Sequence, residues 1–290
     1  MRSRTDHYND TLDMGSGSKD LQFCIDWSKP IDRPYNSKTD RTSLMKFNEV
    51  FKDTKPVIGM IHTGSNAEIS MLDLAKKEIG IYLKYGVVPL IENYFGSDED
   101  CAEVLRWVHE EYPDSIYGVN ILGDAQWAFE LAHKYGAKFV QIDSVCGHLK
   151  PEHEPCYVEK LNKYREEYNV AVLGGVRFKY QPVNSGRTTE EDLLLGRERC
   201  DAVVCTGSGT GMETPMSKVE QFKATLGDFP VVVGAGVTLD TAQETMSKSD
   251  GMIVGSWFKF GHNANNMVNE AYVEAFMETI DRVRGQVIEP

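Results

Sequence analysis

No pair of cysteines in this chain has CxxC spacing. The six (Cys24, Cys101, Cys146, Cys156, Cys200, Cys205) are scattered over 290 residues, which excludes a disulfide framework or a structural zinc knot and fits reduced thiols in a cytoplasmic setting. Basic charge is scarce: 31 Lys and Arg stand against 44 Asp and Glu, a formal net charge of −13. A nucleic acid polymer or an anionic membrane surface rewards clustered Lys and Arg, so neither is expected as the main partner. No run of about 18 uninterrupted apolar residues exists, which excludes a membrane-spanning helix, and the opening Met1-Arg-Ser-Arg-Thr-Asp-His-Tyr8 lacks the apolar stretch of a secretory signal. GxxxxGK[ST] and GxSxG are both missing, so neither a P-loop nor a serine-hydrolase elbow is expected. His148 and His153 flank an irregular segment with no zinc spacing. No resident metal is therefore assigned; Mg²⁺ recruited by Glu92, Asp143 and a substrate phosphate is the form a metal would take.

What is present suits one large core, with 41% hydrophobic residues. Residues 1–54 read as an N-terminal extension whose first part, with Gly15-Ser-Gly-Ser18, is flexible, and residues 55–290 read as the folded unit. Within that unit short β-rich apolar runs alternate with helix-patterned stretches. Eight strands are expected: Val57–His62, Val88–Asn93, Tyr117–Leu122, Phe139–Val145, Ala171–Lys179, Ala202–Thr206, Val231–Ala235 and Met252–Ser256. Their starts recur every ~28 residues, the length of a βα unit, so the chain is read as a single-domain α/β protein, a (β/α)8 TIM barrel. A doubly wound open sheet is the alternative built from the same units. Met71–Lys84 and Cys101–His109 carry helical stripes, with Asp98 and Asp124 placed as N-caps and Gly86, Gly136 and Gly285 as helix stops.

In such a barrel the active face lies at the C-terminal strand ends. The residues closing the runs are polar here: His62, Glu92 with Asn93, Asn120, Asp143, Arg177 with Lys179, and Thr206 with Ser208. A polar residue at one strand end is commonly a cap or a rim hydrogen bond; a whole ring of them points to a site. Lys179, Asp143 and Glu92, with His62 behind them, are the acid–base candidates. A strand lysine facing carboxylates can stabilise an enolate or alkoxide or form a Schiff base, or it can close the rim as a salt bridge. The turns Gly234-Ala235-Gly236 and Gly255-Ser256 follow the seventh and eighth strands, where exposed N–H groups hold phosphate in many barrels, although a tight βα loop also needs glycine. Thr206-Gly207-Ser208-Gly209-Thr210 is a candidate nest or lid, and with Asn93 and Asn120 it completes the substrate-contact set.

Taken in register, Lys55-Pro-Val-Ile-Gly-Met-Ile-His62, Glu92-Asn93, Tyr117-Gly-Val-Asn-Ile-Leu122, Gly136-Ala-Lys-Phe139, Asp201-Ala-Val-Val-Cys-Thr-Gly207, Thr210-Gly211, Val233-Gly-Ala-Gly-Val-Thr238 and Asp250-Gly-Met-Ile-Val-Gly255 resemble the BtpA/SgcQ family, placed among the phosphate-binding TIM barrels. The resemblance spans about residues 55 to 284. It implies a phosphate-binding barrel and two possible roles. One family branch is associated with assembly or stability of photosystem I, and another sits beside sugar-uptake and sugar-phosphate functions. The expectation is an isomerase, lyase or glycosyl/phosphoribosyl-transfer enzyme acting on a small phosphorylated metabolite, as a homo-oligomer; the alternative is a non-catalytic assembly factor. Departures are Thr63-Gly-Ser-Asn-Ala-Glu68 for a proline-containing loop, Gly175 where relatives tend to carry Asp, and Tyr180 where they carry His.

Overall fold

Eight parallel strands close on themselves. The computed structural model describes residues 46–52, 54–64 and 69–286; the part of the N-terminal extension expected to be flexible, and most of the loop Thr63–Glu68, lie outside these. The strands are β1 (Val57–His62), β2 (Val88–Glu92), β3 (Gly118–Asn120), β4 (Phe139–Cys146), β5 (Ala171–Val176), β6 (Ala202–Cys205), β7 (Val231–Val233) and β8 (Gly251–Val254). They pair in sequence order and β8 returns to β1 through Val57↔Met252, so the sheet is a closed barrel and the open-sheet alternative is excluded. The helices are α1 (Phe47–Phe51), α2 (Met71–Lys84), α3 (Asp98–Glu111), α4 (Ala125–Tyr135), α5 (Glu154–Tyr168), α6 (Thr189–Arg197), α7 (Met216–Leu226), α8 (Leu239–Lys248) and α9 (Glu270–Gln286).

Strand alternation sorts the apolar residues into two layers. Met60, Leu90, Leu173, Val204, Val232 and Ile253 fill the lumen, while residues such as Ile61, Val119, Val140 and Val172 face the helices. Phe47, Val50 and Phe51 of α1 join the lumen cluster, with the Phe51 ring 5.5 Å from that of Phe139 at the start of β4. This short helix therefore stoppers the N-terminal mouth. Apolar stripes dock the outer helices, as Leu74, Ala75 and Ile79 do on α2.

Local chemistry sets the ends. Asp124 caps α4 by accepting from Trp127 N, and Gly136 ends it in the left-handed region at φ 73. Asp98 is not the cap expected of it: Ser97 caps α3 with Asp100 closing the box, while the Asp98 carboxylate takes a bond from Asn93. Gly285 does not stop its helix, which runs to Gln286. Most strands end a residue or two inside the expected limits. The largest correction is β5, which stops at Val176 because Arg177 turns to φ 48. Lys179 consequently stands on a loop rather than on a strand.

Candidate active site

The inward-facing residues that close the strands divide the C-terminal mouth in two. β1 to β4 contribute His62, Glu92, Asn120 and Asp143; β5 to β8 contribute Gly175, Thr206, Gly234 and Gly255.

On the first side the groups are bonded to one another. Asn120 Nδ2 donates to Glu92 Oε1 at 2.8 Å and to Asp143 Oδ1 at 3.2 Å, clamping two carboxyls on one nitrogen. Glu92 is 6% exposed, and burial, reinforced by the Asp143 charge, pushes its pKa up to about 8 against the pull of Lys179 and Asn120. Burial also raises Asp143, opposed by Lys179, Asn120 and Gln141. His62 is driven down to about 3, first by burial and then by the positive charge of Lys259. Its Nδ1 lies 3.3 Å from the Ala264 carbonyl, which can only accept, so Nδ1 carries the proton and Nε2 turns its lone pair to Glu92 Oε2 at 3.5 Å. A carboxylic acid satisfies that arrangement and a carboxylate does not. Tyr94 stacks on His62 at 4.8 Å and Phe95 meets its edge, which keeps the imidazole dry.

The β5 loop carries the cation across. Arg177, at its start, turns away from the mouth: it pairs with fully buried Asp192 at 2.8 Å and donates to Thr189 and to the Arg187 carbonyl. Asp192 also receives Arg187 and Ser185. Burial would raise its pKa, but these bonds hold it below the ordinary value. Anchored there, the loop returns Phe178 into the lumen and leaves Lys179 half-buried, its N–H donating to Thr206 Oγ1 at 2.9 Å and its ammonium to Thr210 Oγ1 at 3.4 Å. Its charge is felt at Glu92, Asp143 and His62. Among the described residues no ion pair joins it to either carboxylate, so the rim salt bridge is not formed. Gly175 has a physical reason: a Cβ there would meet the Asp143 carbonyl oxygen and, at 2.5 Å, the Phe178 ring.

On the glycine side the amides can be counted. The Gly234 N–H is spent on Cys205 O at 2.8 Å, continuing the sheet. Those of Ala235, Gly236, Gly255 and Ser256 bond to no acceptor among the described residues. The glycine at 236 is required by more than ligand access: at φ 68 a Cβ would collide with the Met212 carbonyl and lie within contact of Glu213. At Gly255 a Cβ meets nothing nearer than Met60 at 3.5 Å. The β6 loop bridges the two sides. Thr210 N donates to the Tyr180 hydroxyl at 2.7 Å, a Cβ on Gly211 would lie 3.3 Å from Ser256 Oγ, and Thr214 bonds Ala235 O.

Other expected contacts are placed less favourably. Asn93 is fully buried, donating to Asp98 and accepting from Leu122 N, so its amide serves the wall. Gly207 packs against the Glu213 carbonyl, Gly209 lies by Tyr180, and exposed Ser208 turns to Met212 Sδ. Sequence reasoning missed Tyr94 and Gln141. The latter donates to Asp143 Oδ1 at 3.2 Å, and its position two residues before Asp143 in a strand was the signal available. For a hard cation, Glu92 and Asp143 offer two carboxyls of which one is neutral near pH 7. Among the described residues no three His, Cys, Asp or Glu side chains gather as a metal cage, and no helix is long and apolar enough to cross a membrane.

A sequence model of the BtpA family matches residues 105–282. The Photosystem I biogenesis protein BtpA of Synechocystis is 24% identical over 263 residues, 81% of this chain and 91% of that protein. The putative sgc region protein SgcQ of Escherichia coli is 26% identical over 58% of this chain and 65% of its own length. Among solved structures, the tryptophan synthase alpha chain from Legionella pneumophila superposes with a TM-score of 0.57 at 13% identity, covering 80% of this chain and 94% of that one. Thiamine phosphate pyrophosphorylase from Pyrococcus furiosus gives 0.53 at 14% identity, covering 80% and 97%.

Proposed function

The chain belongs to the BtpA family, and from that premise we propose that it is an enzyme acting on a small phosphorylated metabolite, of the sugar-phosphate or phosphoribosyl kind. The observation that carries this reading is the division of the mouth: a dry acid–base cluster on one side and unspent backbone N–H groups on the other. The phosphate lies on the amides of Ala235, Gly236, Gly255 and Ser256, where N–H dipoles stabilise an anion. That contact supplies binding energy and orientation, leaving the far end of the ligand against Glu92, Asp143 and Lys179.

The roles follow from protonation. Glu92, neutral near pH 7 and backed by the His62 lone pair, is the proton donor. Asp143, nearer solvent and beside Lys179, is the base. Lys179 stabilises negative charge developing on a carbonyl or alkoxide oxygen. Isomerisation, aldol-type cleavage and glycosyl transfer all use this set. One solved barrel of the same fold is named for a phosphorylated compound, thiamine phosphate, which supports the ligand class by analogy.

A second reading, a non-catalytic assembly factor, is favoured by one relative's name, Photosystem I biogenesis protein. Thermal-shift screening against sugar phosphates and nucleotides separates the two: a ligand at 100 times its Kd raises stability by about 2.7 kcal/mol. Flat curves across the set, beside a recoverable protein partner, would overturn the enzyme reading.

A further inference from the structure

We infer that the side-chain carbonyl of Gln141, together with the unshared oxygen of Asp143, forms an acceptor-only subsite for a hydroxyl or amino group at the end of the ligand opposite its phosphate. The inference rests on the mouth being the site of a phosphorylated metabolite, and it adds what the other end of that molecule must carry.

Gln141 lies on β4 between Phe139 and Asp143 in the inward-facing column, 5% exposed. Its Nε2 donates to Asp143 Oδ1, while its Oε1 is buried with no hydrogen-bond partner. Native interiors rarely leave a polar atom so, and each instance calls for a physical reason. Turning the amide over does not help. Oε1 would then stand 3.2 Å from Asp143 Oδ1, acceptor against acceptor. Nor can the lumen supply a donor, since Met60, Leu90, Leu173, Val204, Val232 and Ile253 are apolar.

Asp143 repeats the pattern one inward position nearer the mouth. Its Oδ1 takes both bonds, from Asn120 and Gln141, and Oδ2 receives none from the described residues. Two acceptors with no donor between them match a group that brings its own hydrogens. A hydroxyl or amine fits; a carbonyl, a carboxylate or a second phosphate would add acceptor to acceptor. The residue type agrees with this. Leucine would fill the apolar lumen without an unpaired atom, and glutamate would set a third carboxyl beside Glu92 and Asp143. Glutamine keeps an acceptor there without a further negative charge. Asp143 is less buried than Gln141, so a ligand hydroxyl that reaches it has one residue further to go.

The test uses the full chain and two probes in separate crystal soaks, ethylene glycol for the donor subsite and inorganic phosphate for the glycine turns. The expected result is a diol hydroxyl within hydrogen-bond distance of Gln141 Oε1 and Asp143 Oδ2, lost in Gln141→Met, whose side chain has similar volume and no acceptor of comparable strength. Diol density elsewhere only, or a water on Gln141 Oε1 that the diol does not displace, would overturn the inference. The two readings fail separately. Phosphate on the turns without diol at Gln141 removes the subsite and leaves the proposed ligand class; diol at Gln141 without phosphate on the turns does the reverse. In solution, Gln141→Met weakens binding of D-ribose 5-phosphate about tenfold while leaving inorganic phosphate unchanged, the scale of one lost hydrogen bond. Equal weakening of both would mark the change as structural and count against the subsite. Should the variant not fold, the soaks of the unaltered protein still decide.

Discussion

The two sides of the barrel mouth are built in opposite ways. From β1 to β4 the strand-end side chains are titratable or amide groups, packed dry in a row in which His62 bonds Ala264 O and lies 3.5 Å from Glu92, and Asn120 hydrogen-bonds both Glu92 and Asp143. From β5 to β8 three of the four positions are glycine, and around the last two the N–H groups of Ala235, Gly236, Gly255 and Ser256 bond to no acceptor among the described residues. Proton chemistry needs groups whose pKa has been moved by burial, and that demands strands that hold side chains still. Anion binding needs dipoles and room, which a glycine turn supplies without a side chain. The cation whose charge reaches the first side, Lys179, is delivered from the second side by a loop.

That delivery makes the division breakable, most severely at the loop's anchor. Asp192→Ala leaves Arg177 and Arg187 without their shared buried partner and should lower unfolding stability by about 3–5 kcal/mol, read by chemical denaturation. A loss below 1 kcal/mol would mean that the β5 loop is held by packing instead. Lys179→Met should leave the phosphate end bound while turnover on an identified substrate falls about 100-fold, near 2.7 kcal/mol of barrier. Unchanged turnover would confine the chemistry to the β1–β4 side.

The pH profile sharpens the comparison within that side. Glu92 has a folded pKa raised from 4.5 to about 8, so its contribution to stability is complete below pH 4.5 and is lost as pH climbs to about 8. His62, depressed from 6.5 to about 3, behaves in reverse: its contribution is complete above pH 6.5 and is lost as pH falls to about 3. Glu92→Gln should therefore flatten the alkaline decline by roughly 1–4 kcal/mol between pH 5 and 8 and spare the acid limb. Parallel curves for the two proteins would show Glu92 ionised throughout. The smallest effect is expected at the turns. Gly255→Ala adds a methyl that meets only Met60, at 3.5 Å, and should weaken phosphate binding about tenfold without loss of helicity. Gly236→Val is the poorer probe, because it collides with the Met212 backbone whether or not an anion binds there.

Several of these features were legible in the residues. β1 matches its expected limits, Asp124 and Gly136 bound their helix as read, and the runs closing in His62, Glu92, Asn120 and Asp143 do meet at one mouth. Strand period puts those four on the inner face once their strands are placed. The β5 run misled because Phe178 continues its apolar character past the point where Arg177 leaves extended geometry, and a change in φ has no signature in hydrophobicity. Asn93 and Gly236 also carry structural duties that their residue types do not announce, Asn93 bonding Asp98 and Leu122 N and Gly236 lying against the Met212 backbone, because polar and small residues near a mouth serve wall and site alike.

Chain composition and period were enough to determine the eight βα units and the closed barrel, because helix and strand repeats are local and a barrel of this size leaves few other ways to bury them. The protonation of Glu92 and His62, the outward turn of Arg177, the sharing of Asp143 between Asn120 and Gln141, and the choice of which glycine amides stay unspent were decided by tertiary structure alone. These depend on which atoms lie within a few ångströms of one another, in pairs such as Arg177–Asp192, Asn120–Asp143 and His62–Ala264 that stand 15, 23 and 202 residues apart in sequence, and on how much water is excluded between them, neither of which one residue's identity encodes.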